Sequence, residues 1–111
     1  MSGQSALAAA VRGASLQDFI DVAGRIRGDI VRTPLLPASS GSRTIRLKAE
    51  CLQPLGSFKI RPAASVLQAM NPGALQRGVA TASAGNFAQG LGLVAKRRGI
   101  ALTVHAPDSA A

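Results

Sequence analysis

The stretch "GSFKIRP" (residues 56–62) sets Lys59 between a glycine-serine turn and an apolar run. That run continues with apolar residues at helical spacing, which predicts a helix over 57–70 that stops at an Asn-Pro-Gly turn signal over 71–73. Pro62 falls in the first turn of this helix, where its missing N–H has no partner in any case. The predicted helix therefore begins close to Lys59.

A second helix is predicted upstream, where apolar residues recur on one helical face between Leu16 and Ile30. Ser15 precedes this run and Asp18 follows three residues later, which is the spacing of a capping box. The helix must end before Pro34, because a proline pushes the preceding residue out of the α region.

The remaining segments follow strand and helix patterns in alternation. The predictions are a small-residue loop over 37–43, strands over 44–50, 78–83 and 100–106, and a helix over 85–99 with Gly99 as its C-cap. Strands that alternate with helices of this length predict an α/β fold built from parallel βαβ units. We expect a flexible N-terminal tail over 1–14 and one folded unit over 15–111.

Composition limits the classes of function. The chain has 111 residues, 47% of them hydrophobic, and a net charge of +8, which suits one modest globular domain. Nucleic-acid binding is not favoured, because the basic residues are spread along the chain and three Phe without Trp or Tyr offer few rings for stacking. The single cysteine, Cys51, and the single histidine, His105, predict no metal site. No stretch is long enough to span a membrane and no secretory signal is evident, so we expect a cytoplasmic protein.

Two corners of the predicted fold are candidates for ligand binding. In parallel α/β sheets, ligands gather where strands end and helix N-termini point free N–H groups at anions. The segment "SAGNF" (83–87) is such a corner, with a hydroxyl, a glycine that permits close approach, and an amide side chain. The other is Lys59, a primary amine at a predicted helix start that is able to attack an aldehyde. Each corner has an ordinary alternative, a capped helix start and a surface lysine.

Three segments together closely resemble the opening third of the fold-type II pyridoxal-phosphate enzymes, which have a tryptophan-synthase-β-like fold. They are "RTPLL" (32–36), "LKAECLQPLGSFKIRPA" (47–63) and "ASAGNFAQG" (82–90). The resemblance runs from about residue 18 to the end and is nearest to the threonine dehydratase and serine racemase branch. In that family, the loop for the cofactor phosphate and the residue facing the pyridine nitrogen come later, so we expect this chain to be a truncated, N-terminal part.

The resemblance implies a role for each residue at the two corners. Lys59 matches the lysine that holds pyridoxal 5'-phosphate as a Schiff base, and Phe58 matches the residue packed beside the cofactor. Asn86 matches the asparagine that hydrogen-bonds the 3-oxygen of the pyridine ring. The loop expected to bind the substrate carboxylate matches Ser83, Ala84, Gly85, Asn86 and Phe87.

Four positions bear on the choice of reaction. Relatives that make threonine or cysteine usually have Asp where this chain has Ile60, so Ile60 favours the dehydratase branch. Ala84 stands where racemases of this group place a serine as a second acid/base, and a missing hydroxyl there suits a lyase. Two residues depart from the family pattern, since Pro62 replaces a glycine and Phe87 replaces a histidine in the carboxylate loop.

The resemblance implies an L-threonine or L-serine dehydratase that gives a 2-oxo acid and ammonia, with this N-terminal fragment inactive alone. The full-length parent is expected to be a homo-oligomer acting on a small amino acid, with no nucleic-acid or membrane partner. A β-replacement or synthase enzyme of the same fold, a racemase of the same fold, and a non-catalytic remnant remain alternatives.

Overall fold

A computed structural model of the protein describes residues 13–110. The first twelve residues of the predicted tail lie outside this range. The elements, in chain order, are α1 (Leu16–Arg25), β1 (Leu35–Ser40), β2 (Arg43–Lys48), two single-turn helical segments (Glu50–Leu52 and Pro54–Gly56), α2 (Ile60–Ala69), α3 (Pro72–Gln76), β3 (Val79–Ala82), α4 (Asn86–Arg98) and β4 (Leu102–His105).

Strands β3 and β4 form a parallel pair, and α4 connects them. The register aligns Val79 with Leu102 and Ala82 with His105. A parallel pair needs such a crossover, because a tight turn cannot return the chain to the starting edge. Helix α4 ends at Gly99, whose φ of 67° is the left-handed cap that the sequence predicts. The predicted α/β fold with a parallel βαβ unit is confirmed.

Strands β1 and β2 form an antiparallel hairpin, which the sequence did not predict. Residues 37–43 were expected to be a loop, but 37–40 belong to β1 and pair with residues 43–46 of β2. Gly41 and Ser42 alone make the turn, and Gly41 has the positive φ of 60° that two-residue hairpin turns favour. Small residues and a proline hid the strand pattern, yet proline is tolerated where a strand has a free edge.

Helix α1 begins as predicted and ends early. The Ser15 hydroxyl accepts a hydrogen bond from the Asp18 N–H at 3.3 Å, and the Asp18 carboxylate accepts from the Ser15 N–H at 2.7 Å. This reciprocal pair is the predicted capping box. The helix ends at Arg25 rather than near Ile30, and Ile26 in the following turn is buried. The first half of the predicted apolar face is exposed, at Leu16 and Phe19.

The start of α2 agrees with the prediction, and the segment after it does not. Pro62 is the third residue of α2 and lies within its first turn. The predicted turn over 71–73 instead opens α3, because the Asn71 side chain accepts from the Gly73 N–H at 2.8 Å and Pro72 takes the first helical position. Among residues 13–110, no helix is long and apolar enough to cross a membrane.

The core lies between α2 and α4, which run in the same direction. Ile60 contacts Gly90 near one end, while the Arg98 guanidinium donates to the Gln68 side chain at 3.1 Å near the other. Each helix advances eight residues between these contacts, from 60 to 68 and from 90 to 98, so the two helices are parallel and in register. Their N-termini therefore lie at the same end of the molecule. The buried core residues are Ile26, Ile60, Ala63, Ala64, Leu67, Leu91, Val94 and Ala95.

Candidate functional site

Lys59 is the last residue before α2, and its backbone is held as part of the helix start. Its N–H donates to the Ser57 hydroxyl at 3.2 Å, and its carbonyl accepts from the Ala63 N–H at 3.2 Å. The side chain is half-buried, and its Nζ lies 5.0 Å from the centroid of the Phe58 ring. A ring face attracts a cation at this distance. The amine therefore has a defined position beside an exposed aromatic ring.

The turn ahead of the lysine contains two successive residues in the left-handed region. Leu55 has a φ of 64° and Gly56 a φ of 68°, and Leu55 is the one non-glycine residue with positive φ in residues 13–110. A bulky side chain in this region is an outlier that strains the backbone by about 1–3 kcal/mol. The Gly56 N–H donates to the Gln53 carbonyl at 2.8 Å, which helps to hold the turn.

The turn over residues 55–59, called the lysine turn below, meets α4 at Gly90. A Cβ built on Gly90 would lie 3.1 Å from the Ile60 Cα and 3.3 Å from the Lys59 carbonyl oxygen, so the close approach depends on glycine. Asn86, the first residue of α4, is four residues before Gly90, so the helix extends about 6 Å beyond the level of this contact. The two corners named from the sequence therefore lie at the same end of the paired helices.

Residues 83–87 connect β3 to α4 and leave the helix start without a side-chain cap. The Ser83 N–H donates to the His105 carbonyl at 3.1 Å, and the Ser83 hydroxyl accepts from the Gly85 N–H at 3.4 Å. Gly85 occupies the N-cap position and has no side chain to cap the helix. Ala84, Gly85 and Asn86 are exposed. Uncapped N–H groups at an exposed helix start favour a bound anion.

Phe87 differs from its neighbours in this loop because it is half-buried. Its side chain packs against the core cluster. The aromatic residue at this position therefore contributes to packing, whatever it does for a ligand.

A cluster of polar side chains next to the lysine turn was not predicted from the sequence. The Glu50 carboxylate accepts two hydrogen bonds from the Arg61 guanidinium, at 2.7 and 2.9 Å, and a third from the Thr33 hydroxyl at 2.5 Å. The contact with Arg61 is the main cause that lowers the pKa of Glu50 to about 2; burial opposes this shift, while bonds from Thr33 and Gln53 reinforce it. The same contact raises the pKa of Arg61. Glu50 lies in a single-turn segment and Arg61 in α2, so the fold brings them together and no pattern along one element predicts the contact.

Gln53 ties the same turn to the segment that precedes β1. The residue is buried, and its amide side chain accepts from the Val31 N–H at 2.9 Å and donates to the Val31 carbonyl at 2.8 Å. A buried amide without hydrogen-bond partners would destabilise the fold, so Gln53 requires these two bonds at its buried position. Gln53 thus holds the turn against a second segment of backbone.

A groove of about 570 Å³ lies on another side of α2. Its lining includes the basic residues Arg27, Arg32, Lys48 and Arg61, and it includes neither Lys59 nor any residue of 83–87. Lys59 and Arg61 are two residues apart at the start of a helix, where side chains at that spacing do not share a face. The groove and the candidate site are therefore separate.

Comparisons with known proteins bear on what this site does. Residues 26–111 match the family model described as "Pyridoxal-phosphate dependent enzyme". The catabolic L-threonine dehydratase of Staphylococcus aureus (strain USA300) is 38% identical over 101 residues, which cover 86% of this chain and 29% of that protein. The chain thus spans about three tenths of the length of the curated relatives it matches.

Solved structures of enzymes with related names also superpose on most of this chain. Serine racemase from Dictyostelium discoideum superposes with a TM-score of 0.81 at 32% identity, over 88% of this chain and 33% of that one. A threonine deaminase from T.th. superposes with a TM-score of 0.75 at 38% identity, over 86% of this chain and 32% of that one. Each match covers most of this chain and about one third of the relative.

Proposed function

The chain belongs to the pyridoxal-phosphate-dependent enzyme family, and from that membership we propose that it forms the N-terminal part of an L-threonine or L-serine dehydratase. The resemblance to fold-type II enzymes of the threonine dehydratase and serine racemase branch is confirmed. The proposed reaction converts a β-hydroxy amino acid to a 2-oxo acid and ammonia. The observation that carries the proposal is the contact at Gly90, which brings the Lys59 turn against α4 one turn after the start of that helix.

The residues at this end of the helices suit pyridoxal 5'-phosphate as the cofactor. Lys59 offers a primary amine for the cofactor aldehyde, and the exposed Phe58 ring beside the amine offers a flat apolar contact. Asn86 presents an exposed amide, which is able to donate a hydrogen bond to the 3-oxygen. When bound, the cofactor supplies an electron sink for the charge that develops at the substrate α-carbon.

The proposed roles of this chain's residues follow from their positions. Lys59 Nζ holds the cofactor and, once released by the substrate, takes the α-proton as general base. The substrate carboxylate binds at the loop of Ser83, Gly85 and Asn86, where uncapped N–H groups of α4 favour an anion. Ala84 and Phe87 complete this loop without adding a proton donor.

The substrate, assembly and location belong to the same proposal. We place the reaction in a cytoplasmic homo-oligomer that acts on a small amino acid. The 111 residues alone are proposed to be inactive, because they cover 29% of the dehydratase relative and the resemblance assigns the phosphate loop to the remainder. Orientation of the reactants by that remainder is a large part of catalysis.

A racemase is the second candidate, because structures of serine racemases from maize and from Dictyostelium discoideum are similar to this chain. Racemisation requires proton transfer on both faces of the α-carbon, and Ala84 supplies no hydroxyl for the second face. The lack of a hydroxyl at Ala84 therefore favours dehydration over racemisation.

A chimera tests the proposed reaction. The matched residues of this chain replace the corresponding segment of the Staphylococcus aureus dehydratase, and the purified chimera is incubated with L-threonine and L-serine. We expect release of a 2-oxo acid and ammonia, and loss of both products in the Lys59→Ala variant. A folded chimera that binds the cofactor but forms D-amino acid as its main product would contradict the proposal.

A further inference from the structure

We propose that Glu50 is a positioning residue for Lys59 and acts through its two-pronged contact with Arg61 at the start of α2. The inference rests on the proposed function, because it gives a task to a carboxylate behind the proposed cofactor lysine. Glu50 touches neither the lysine side chain nor residues 83–87 in the contacts described above, so its effect is transmitted through the backbone of α2.

The lysine turn needs support from outside itself. Leu55 is held at a φ of 64° four residues before Lys59, and its side chain is exposed, so packing of that side chain does not compensate for the strain. Such a backbone persists only where the surroundings over-determine it. Lys59 occupies the N-cap position of α2 and its side chain makes no capping bond. The Ser57 hydroxyl accepts from the Lys59 N–H at 3.2 Å, but this bond lies within the turn and does not tie it to another element.

Arg61 provides this support because it lies in the first turn of α2. Its backbone N–H donates to the Phe58 carbonyl at 3.0 Å, and its guanidinium makes two bonds with Glu50 at 2.7 and 2.9 Å. Two parallel bonds between a guanidinium and a carboxylate fix the orientation as well as the distance. The position of Glu50 therefore determines where the first turn of α2, and with it Lys59, can lie.

Glu50 is itself held by a different segment. The Thr33 hydroxyl donates to the carboxylate at 2.5 Å, and the Lys48 amine donates to both the Thr33 carbonyl and the Thr33 hydroxyl at 2.8 Å. Thr33 is buried, so this anchor belongs to the folded interior rather than to a mobile surface. Glu50 and Gly90 thus hold the two ends of the contact between the lysine turn and its neighbours, in addition to the bonds that Gln53 makes with the Val31 backbone.

The consequence concerns the placement of an amine. A misplacement of about 1 Å lowers the rate of a positioned reaction by as much as 100-fold. Loss of the Glu50 contact is expected to leave the chain folded while the Lys59 amine samples more positions. The signature is slower and less selective capture of an aldehyde at Lys59.

The test uses the 111-residue chain and pyridoxal 5'-phosphate. After a brief incubation and borohydride reduction, peptide mapping gives the ratio of modified Lys59 to modified Lys96, an exposed lysine that serves as an internal reference. Glu50→Gln removes the charge and keeps the size of the side chain, and we expect it to lower this ratio about 10-fold. Hydrogen exchange of the amides over 57–64 should become faster in the same variant.

The matched control is Asp29→Asn, which removes the charge of Asp29 from its ion pair with Arg98, the last residue of α4. Asp29→Asn is expected to leave the ratio unchanged.

If Glu50→Gln does not fold, as judged by circular dichroism, Arg61→Lys replaces it, since this variant keeps the charge and loses the two-pronged geometry. It is then expected to lower the ratio. A wild-type ratio near one overturns the cofactor role of Lys59 and hence the proposed function. A high wild-type ratio that a folded variant retains overturns the positioning role alone.

Discussion

Gly90 of α4 lies so close to Ile60 of α2 that a Cβ on the glycine would stand 3.1 Å from the Ile60 Cα and 3.2 Å from its nitrogen. These are backbone atoms of a buried helix start, and they cannot move aside as the end of a flexible side chain can. The absence of a side chain at Gly90 therefore sets how near the Lys59 turn comes to α4, one turn after the start of that helix.

Replacing this glycine tests the contact. Gly90→Ala is expected to destabilise the chain by about 1–3 kcal/mol, because the added methyl group must push the start of α2 away. Gly92→Ala is the matched control in the same helix, since a Cβ there meets only the Leu102 Cδ2 at an ordinary 3.8 Å. It should stabilise the chain by about 0.5–1 kcal/mol through the preference of helices for alanine. The free energies of unfolding in urea give both values, and a Gly90→Ala variant as stable as the wild type would show that the contact is not tight.

The parallel unit of the fold could be predicted because its signals are local. The strand over 78–83, the helix that follows and the cap at Gly99 each have a pattern within a few residues. The hairpin could not be predicted, because after Leu36 the residues of β1 are Pro37 and three small residues, so the strand character of that part comes from pairing with β2. Pairing across strands is a tertiary property that periodicity along one segment does not contain.

The two corners of the candidate site were predicted, and the support behind them was not. Lys59 and the loop over 83–87 were identified from residue chemistry and from the family resemblance. The pairing of Glu50 with Arg61 joins a single-turn segment to α2, so it depends on how the fold brings two elements together and not on a pattern within one of them. The early end of α1 was also missed, because apolar spacing continues beyond Arg25 where the chain is no longer helical.

The pH dependence of stability should report the Glu50 contact. The pKa of Glu50 is lowered from an ordinary 4.5 to about 2, so its contribution is fully present above about pH 4.5 and is lost as the pH falls toward 2. The shift sets an upper bound of about 3 kcal/mol, which solvent screening reduces to about 1–2 kcal/mol. The difference in free energy of unfolding between the wild type and Glu50→Gln should therefore shrink as the pH falls below about 4.5. A difference independent of pH would contradict the assignment.

Phe87→His separates packing from ligand binding at that position. The phenylalanine packs against the core, so its replacement is expected to lower the stability of the chain by about 1–2 kcal/mol. In the chimera, the new donor in the carboxylate loop should lower the KM for L-threonine. An unchanged KM would indicate that this position serves packing only.

Ala84→Ser tests why the proposed reaction is elimination rather than racemisation. A hydroxyl at this position offers a second proton donor, so the chimera with this change should form D-serine from L-serine above the level of the parent chimera. Ala88→Ser, within the first turn of α4, is the control and should form none. Chiral chromatography of the products measures both, and equal D-serine from the two variants would remove the role given to Ala84.

The site of cofactor attachment tests the proposed role of Lys59 most directly. The chimera is reduced with borohydride in the presence of pyridoxal 5'-phosphate, and the modified peptide is identified by mass spectrometry, with Lys59→Ala and Lys59→Arg as variants. Arginine keeps the positive charge and removes the amine, so it separates charge from covalent attachment. We expect one modified lysine, Lys59, and loss of both the modification and dehydratase turnover in both variants. Modification at another lysine, or a reducible adduct that persists in Lys59→Ala with turnover intact, would contradict it.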